Sequence, residues 1–239
     1  MSRDVERMRL DQYLQKSCEI SRKEARDLLK CESVTINGER ERQGKRMIDP
    51  VSDQIELNGE RLILETSPRY FVLYKPSGYV SSHRDDGHPS LFRLLDEPRV
   101  MELHIAGRLD ADTTGLTLIT DDGDWSHKVA HPNRKINKRY RVTLENPLTE
   151  AMIKSLATGV LLRNDPDPTL PATVEKLGDT ECYLTISEGR YHQVKRMMAA
   201  VGNLVVELHR DRVGIIDLEG LSVGEYRPLT NDEIEGILA

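Results

Sequence analysis

The chain has 239 residues, of which 38% are apolar and 31% charged, an ordinary folded composition that is neither disordered nor membrane-spanning. At this length it holds one large domain or two unequal ones, and its core needs no disulfide or metal staple. The net charge of -6 argues against a chain that is cationic all over, so any nucleic-acid contact must come from local basic clusters.

The start, MSRDVERMRL, is charged and lacks the apolar stretch of a signal peptide. No apolar run approaches the roughly 18 residues of a membrane span. Cys18, Cys31 and Cys182 are widely spaced and fit no ligand pattern. A reduced, cytoplasmic protein without a membrane partner is expected.

From Met8 to Asn37 the chain reads as a compact unit. Leu10, Tyr13 and Leu14 repeat at helical spacing. Ser21 with Glu24 forms a capping box, and Ala25, Leu28 and Leu29 make an apolar stripe behind it. Arg22, Lys23, Arg26 and Lys30 cluster on the same segment. Val34-Thr35-Ile36 is a short strand ending in the turn Asn37-Gly38, and Ile55 to Asn58-Gly59 repeats that theme.

Glu65-Thr66-Ser67-Pro68 reads as a linker. Beyond it, strands are predicted at Tyr70 to Tyr74, Leu116 to Thr120, Arg139 to Leu144, Thr173 to Leu177, Cys182 to Ser187 and Leu204 to Leu208. Helices are predicted from Thr149 to about Gly159, and from about Tyr191 to Gly202. An α+β fold follows, with a small N-terminal domain over residues 1–64 and a larger mixed-sheet domain over 65–239.

Three segments could carry chemistry. Gly107-Arg108-Leu109-Asp110-Ala111-Asp112-Thr113-Thr114-Gly115 is a tight, acidic loop leading into a strand. Asp110, Asp112, Thr114, Gly115 and Asp121 fall at calcium-loop spacing, but a strand follows where a helix is needed, and Asp121 stands where Glu is usual. Otherwise the loop reads as a capped turn with solvated carboxylates. Lys138-Arg139-Tyr140-Arg141-Val142 sets an aromatic among cations on a strand, an arrangement that suits a splayed-out base or a core tyrosine flanked by exposed charges. Glu188 to Met197 leads from a strand into a helix. Its first amides, with Arg190 and Lys195, would favour an anion, unless the helix simply wears a cationic outer face. His127 and His131 could share a helix face, but no carboxylate completes a zinc-peptidase pattern, and no metal is expected.

Taken together, these residues resemble a known pair of modules. The first sixty residues resemble an S4 RNA-binding domain through Met8-Arg9-Leu10-Asp11, Ser21 to Arg26 and Val34 to Gly38. The remainder resembles the catalytic domain of RsuA/RluA-type pseudouridine synthases. Gly107-Arg108-Leu109-Asp110 is its most specific motif, joined in order by Lys75-Pro76-Ser77-Gly78, Lys138-Arg139-Tyr140 and Glu188 to Met197. Asp121 to His127 and Gly224 to Thr230 match the small-subunit ribosomal RNA branch. Tyr74, where the family often has Asn, and the charged extension before Met8 are departures that do not touch the expected chemistry.

The resemblance implies an isomerase that breaks the uridine N1–C1′ bond, turns the uracil and joins C5 to C1′. It implies Asp110 as nucleophile, at C1′ or at C6. Lys195 would be its cationic partner, Tyr140 the stacking ring, and Arg108 the side chain that helps hold the base extruded. Arg22, Lys23, Arg26, Lys138, Arg139 and Arg190 are the expected RNA contacts. The implied substrate is small-subunit (16S) ribosomal RNA or its assembly intermediate, at uridine 516. No cofactor is implied, and a monomer is expected. The alternative is a non-catalytic S4-type RNA-binding or ribosome-assembly factor.

Overall fold

The computed structural model describes residues 7–64 and 67–239. The charged segment before Met8 lies outside the described residues except for Arg7, as do Glu65 and Thr66 of the linker. The chain divides into two compact units, one ending at Ser67 and the other beginning at Pro68, with Glu97–Arg99 grouped with the first.

In the first unit, helices α1 (Leu10–Ser17) and α2 (Arg22–Cys31) pack beside a four-stranded antiparallel sheet. Ser21 caps α2 by accepting from the Glu24 amide, and the Glu24 carboxylate in turn accepts from the Ser21 amide. This is the box read from the sequence. Leu10, Leu14, Ala25, Leu29, Val34 and Ile55 form the core. Val34–Ile36 lies between Glu39–Arg40 and Ile55–Leu57, and Glu60–Arg61 forms the far edge. Both Asn-Gly turns hold Asn at φ 53° and Gly at φ 85°, as a two-residue hairpin turn with both residues at positive φ requires. Arg22, Lys23 and Arg26 stand exposed on α2.

The second unit is built on a mixed sheet. The strands on its main path are β1 (Tyr70–Lys75), β2 (Thr114–Thr120), β3 (Lys138–Leu144), β4 (Thr173–Lys176), β5 (Glu181–Ile186), β6 (Val205–Val213) and β7 (Tyr226–Pro228), and two short strands, His104–Ala106 and Ile216–Asp217, pair with β2 and β6 off that path. In space they run β4-β5-β3-β6-β2-β1-β7. Every neighbouring pair is antiparallel except β6 and β2, which run parallel at the centre. Helices α3 (Gly123–Ala130), α4 (Glu150–Thr158), α5 (Gln193–Ala200) and α6 (Asn231–Gly236) complete it. One apolar cluster gathers β3, β5, α4 and α5 through Val142, Leu184, Leu156 and Met197. Another gathers β2, α3 and α6 around Trp125, whose indole N–H donates to the Ile234 carbonyl at 2.9 Å.

Two expectations shift. The strand predicted at Leu204 to Leu208 runs on to Val213. The helix predicted from Tyr191 starts at Gln193, because His192 sits at φ 48°, in the left-handed region that ends a right-handed helix. Because β2 is a strand directly after the acidic loop, the calcium-loop geometry is absent there.

The central parallel pairing rests on Gly115. It sits at φ 111°, and a Cβ there would lie 2.1 Å from the Arg210 carbonyl oxygen on β6. Gly115→Ala should therefore destabilise this unit by at least about 2 kcal/mol. Urea unfolding measures this, and an unchanged midpoint contradicts the role given to the close approach.

Candidate active site

A cavity of about 670 Å³ opens in the second unit beside the acidic loop. Its wall includes Arg108, Asp110, Lys138, Tyr140, His192, Lys195 and Arg210. These come from four places: the loop before β2, strand β3, the start of α5 with the turn before it, and strand β6.

The loop is held from beneath by its carbonyl oxygens. Lys75, fully buried at the end of β1, donates its ammonium to the carbonyls of Pro76, Ala111 and Thr113 at 3.0, 3.2 and 2.7 Å. Ser81 donates to the Leu109 carbonyl at 2.6 Å and accepts from the Leu109 amide at 3.1 Å. Arg210, on β6, donates to the carbonyls of Gly107 and Leu116, which bracket the loop, at 2.8 Å each. Burial, partly opposed by Asp112 and Asp110, pushes the Lys75 ammonium down to about 8. Between that value and the ordinary lysine range the folded chain holds fewer protons than the unfolded one. This group's contribution to stability therefore rises with pH across that window.

Asp110 faces the cavity from this loop. His192 Nε2 lies 3.2 Å from its Oδ1 and Lys195 Nζ 3.4 Å from its Oδ2. The expected Lys195–Asp110 pairing is present, but Lys195 is shared. Its ammonium donates more closely to both oxygens of Asp112, at 2.7 and 2.8 Å, and this bond holds the Asp112 carboxyl below its usual range. Asp112, singled out in the sequence only at a calcium-loop position, and His192 are additions to the expected site residues. His192 reaches Asp110 from its left-handed backbone, with the exposed Tyr191 ring stacked on it at 3.7 Å.

Strand β3 alternates as expected. Lys138, Tyr140, Val142 and Leu144 are buried, while Arg139 is half-buried and Arg141 exposed. Tyr140 stands in the cavity wall, with the Arg210 guanidinium 6.0 Å from its ring centre. Lys138 belongs to this buried face too, so its place is inside the cavity wall rather than on an open RNA-facing surface. Arg139, on the other face, pairs with Asp211 at 2.6 Å and lies over the Tyr183 ring.

The Glu188 to Met197 segment is largely architecture. Arg190 does not point its charge at a free anion site. It donates to Glu188, Asp165 and the carbonyls of Asp167 and Pro168. Gln193, buried, accepts from the Arg190 amide and donates to Glu188. This network fixes the turn that carries His192 and the start of α5 that carries Lys195. Arg108 stands exposed beside Asp110.

A family profile described as RNA pseudouridylate synthase matches residues 69–200. Ribosomal small subunit pseudouridine synthase A of Pasteurella multocida (strain Pm70) is 48% identical, over 95% of this chain and 98% of its own length. The enzyme of the same name from Escherichia coli (strain K12) is also 48% identical, over 97% of this chain and 100% of its own. A crystal structure of a pseudouridylate synthase superimposes with a TM-score of 0.69 at 45% identity, covering 96% of this chain and 99% of that one. The clamped acidic loop, the tyrosine in the cavity wall and these full-length similarities agree: the chain belongs to the RNA pseudouridylate synthase family.

Proposed function

We propose that this chain converts a uridine of small-subunit (16S) ribosomal RNA to pseudouridine, at uridine 516, with Asp110 as nucleophile. The observation that carries the reading is Asp110 itself. It is a carboxylate on a loop clamped from below, aimed into a nucleotide-sized cavity, with Lys195 and His192 on it and the Tyr140 ring in the wall. The printed name of the 48% identical relatives supports the substrate class.

The target uridine leaves its stack to reach this depth. Tyr140 stacks on the uracil, and the exposed Arg108 helps hold the nucleotide out. Attack at C1′ and attack at C6 both begin from the Asp110 carboxylate. Loss of the N1–C1′ bond frees the base to turn, C5 joins C1′, the bond to Asp110 breaks and returns its carboxylate, and the C5 proton is exchanged for one on N1. The isomerisation is redox-neutral, and the reading calls for no metal or organic cofactor. Lys195 partners the carboxylate, and Lys75, Ser81 and Arg210 keep the loop in place.

In this reading residues 1–64 are an S4-like module and 65–239 the catalytic one, working as a monomer. Arg22, Lys23 and Arg26 supply phosphate contacts that position without reading sequence. Two modest RNA affinities on one chain combine through effective concentration.

Pseudouridine mapping by base-selective adducts and primer-extension stops tests the reading. The substrates are small-subunit RNA, both naked and partly assembled with ribosomal proteins. Wild type should give one new stop and Asp110→Asn none, while RNA binding is retained. RNA binding without a stop on either substrate would favour the assembly-factor alternative, and wild-type turnover by the variant would remove Asp110 as nucleophile. Tyr140→Phe should keep most activity and Tyr140→Ala should lose it, and equal rates in the two would remove the stacking role. Carbon-13 titration of the carboxyl groups in Lys195→Met should show Asp112 rising toward its ordinary value. An unmoved Asp112 would contradict the shared-lysine geometry.

A further inference from the structure

Lys138 and Arg210 stand apart from the ion-paired cations that support this unit, as does Lys75, whose three donors are all taken by carbonyls. Arg69, Arg139, Arg190, Arg196 and Arg227 each have a carboxylate within ion-pair distance. Lys138 and Arg210 have none among the described residues, although they are more deeply buried, at 8% and 2% exposed. Lys138 donates to the Ile136 carbonyl at 3.1 Å. Arg210 uses two of its N–H groups on the loop carbonyls. An ammonium carries three N–H donors and a guanidinium five, so both side chains keep donors uncommitted.

Their placement is specific. Arg210 lies directly opposite Tyr140 across the β3–β6 pairing, and Lys138 is two residues from Tyr140 on the same strand face. All three line the cavity. Burial, and then the neighbouring Arg210 charge, press the Lys138 ammonium down to about 8. Two like charges buried in one cavity wall without a carboxylate partner are costly, and an anionic group arriving at that wall recovers part of that cost.

We propose that Lys138 and Arg210 form a dicationic floor that binds the uracil carbonyl oxygens and takes up the negative charge the base acquires during isomerisation. The inference rests on the pseudouridine synthase reading and names catalytic groups for it. When N1–C1′ breaks, the bonding pair leaves with the base and spreads from N1 onto O2 and O4. When Asp110 instead adds at C6, the pair moves through C5 onto O4. Either route places charge on carbonyl oxygens. It leaves the base when C5 has bonded C1′ and the Asp110 carboxylate is expelled, from C1′ on the first route and from C6 on the second. Loss of the C5 proton and gain of one at N1 then complete the isomer. Fixed cations aimed at developing charge in a dry site are effective catalysts, and they also retain a base that is briefly detached. An RNA phosphate is the less fitting occupant. The cations lie at the depth of the Tyr140 ring, whereas the exposed Arg108 serves the rim.

The test uses the full chain and RNA carrying either uridine or 5-fluorouridine at the target, with single-turnover consumption of that nucleoside and RNA affinity measured separately. Lys138 is the first choice for substitution because Arg210 also ties the loop. Lys138→Met should slow uridine consumption roughly a hundredfold with RNA affinity nearly unchanged, and Lys138→Arg should restore most of the rate. The defect should shrink with 5-fluorouridine, whose more acidic base needs less help in bearing charge. Three outcomes overturn the proposal: no defect in Lys138→Met, an equal defect on both substrates, or a loss confined to affinity with a shallower salt dependence, which would mark a phosphate contact. An inactive wild type would overturn the enzyme reading itself, whereas an active wild type beside an equally active Lys138→Met overturns only the dicationic floor.

Discussion

The loop from Gly107 to Leu116 is held by donors aimed at its carbonyl oxygens, and the rest of the site depends on this. Lys75, Ser81 and Arg210 reach it from three different segments and bond the carbonyls of Gly107, Leu109, Ala111, Thr113 and Leu116. A loop satisfied in this way has little freedom to turn inward. The Asp110 side chain takes no part in these bonds and faces the cavity. Two of the three donors are cations placed where water is scarce, and burying them costs free energy. The carbonyl bonds and the nearby charges of Asp110 and Asp112 offset part of it.

The sheet supplies the registration. The parallel contact of β6 with β2 through Gly115 brings Arg210 under the loop, and the antiparallel contact of β6 with β3 sets the same Arg210 opposite Tyr140. One residue thus links the loop to the aromatic wall. From the other side, the network of Glu188, Arg190, Gln193 and Asp165 builds the turn that delivers His192 and Lys195 to Asp110. The parts that touch the substrate in this account hang on parts that never do.

Much of this was legible in the residues, and the limits have physical reasons. The capping box at Ser21, the Asn-Gly turns, the alternation of β3 and the acidic loop are local signals, and local energetics decided them. Long-range polar bonds leave no such trace. Lys75 bonds residues 36 and 38 positions away, and Arg210 reaches Gly107 across 103 positions. A buried arginine on a strand reads as an exposed one. That is why β6 was predicted to stop at Leu208, before the polar run His209-Arg210-Asp211-Arg212. The basic appearance of Lys138, Arg139 and Arg190 likewise suggested open RNA contacts. In the fold, one lies in the cavity wall and the other two are bonded to carboxylates. The left-handed His192 has no sequence signature, since it comes from the turn network around it.

A crystal structure of Asp110→Asn bound to a small-subunit RNA fragment containing the target uridine tests the central claim most directly. The account predicts one extruded uridine with its uracil stacked on Tyr140, its C1′ or C6 next to residue 110, and the loop backbone within about 1 Å of its unbound position. A uridine bound away from Tyr140, or a loop that abandons its bonds to Lys75 and Arg210 to reach the RNA, would contradict it.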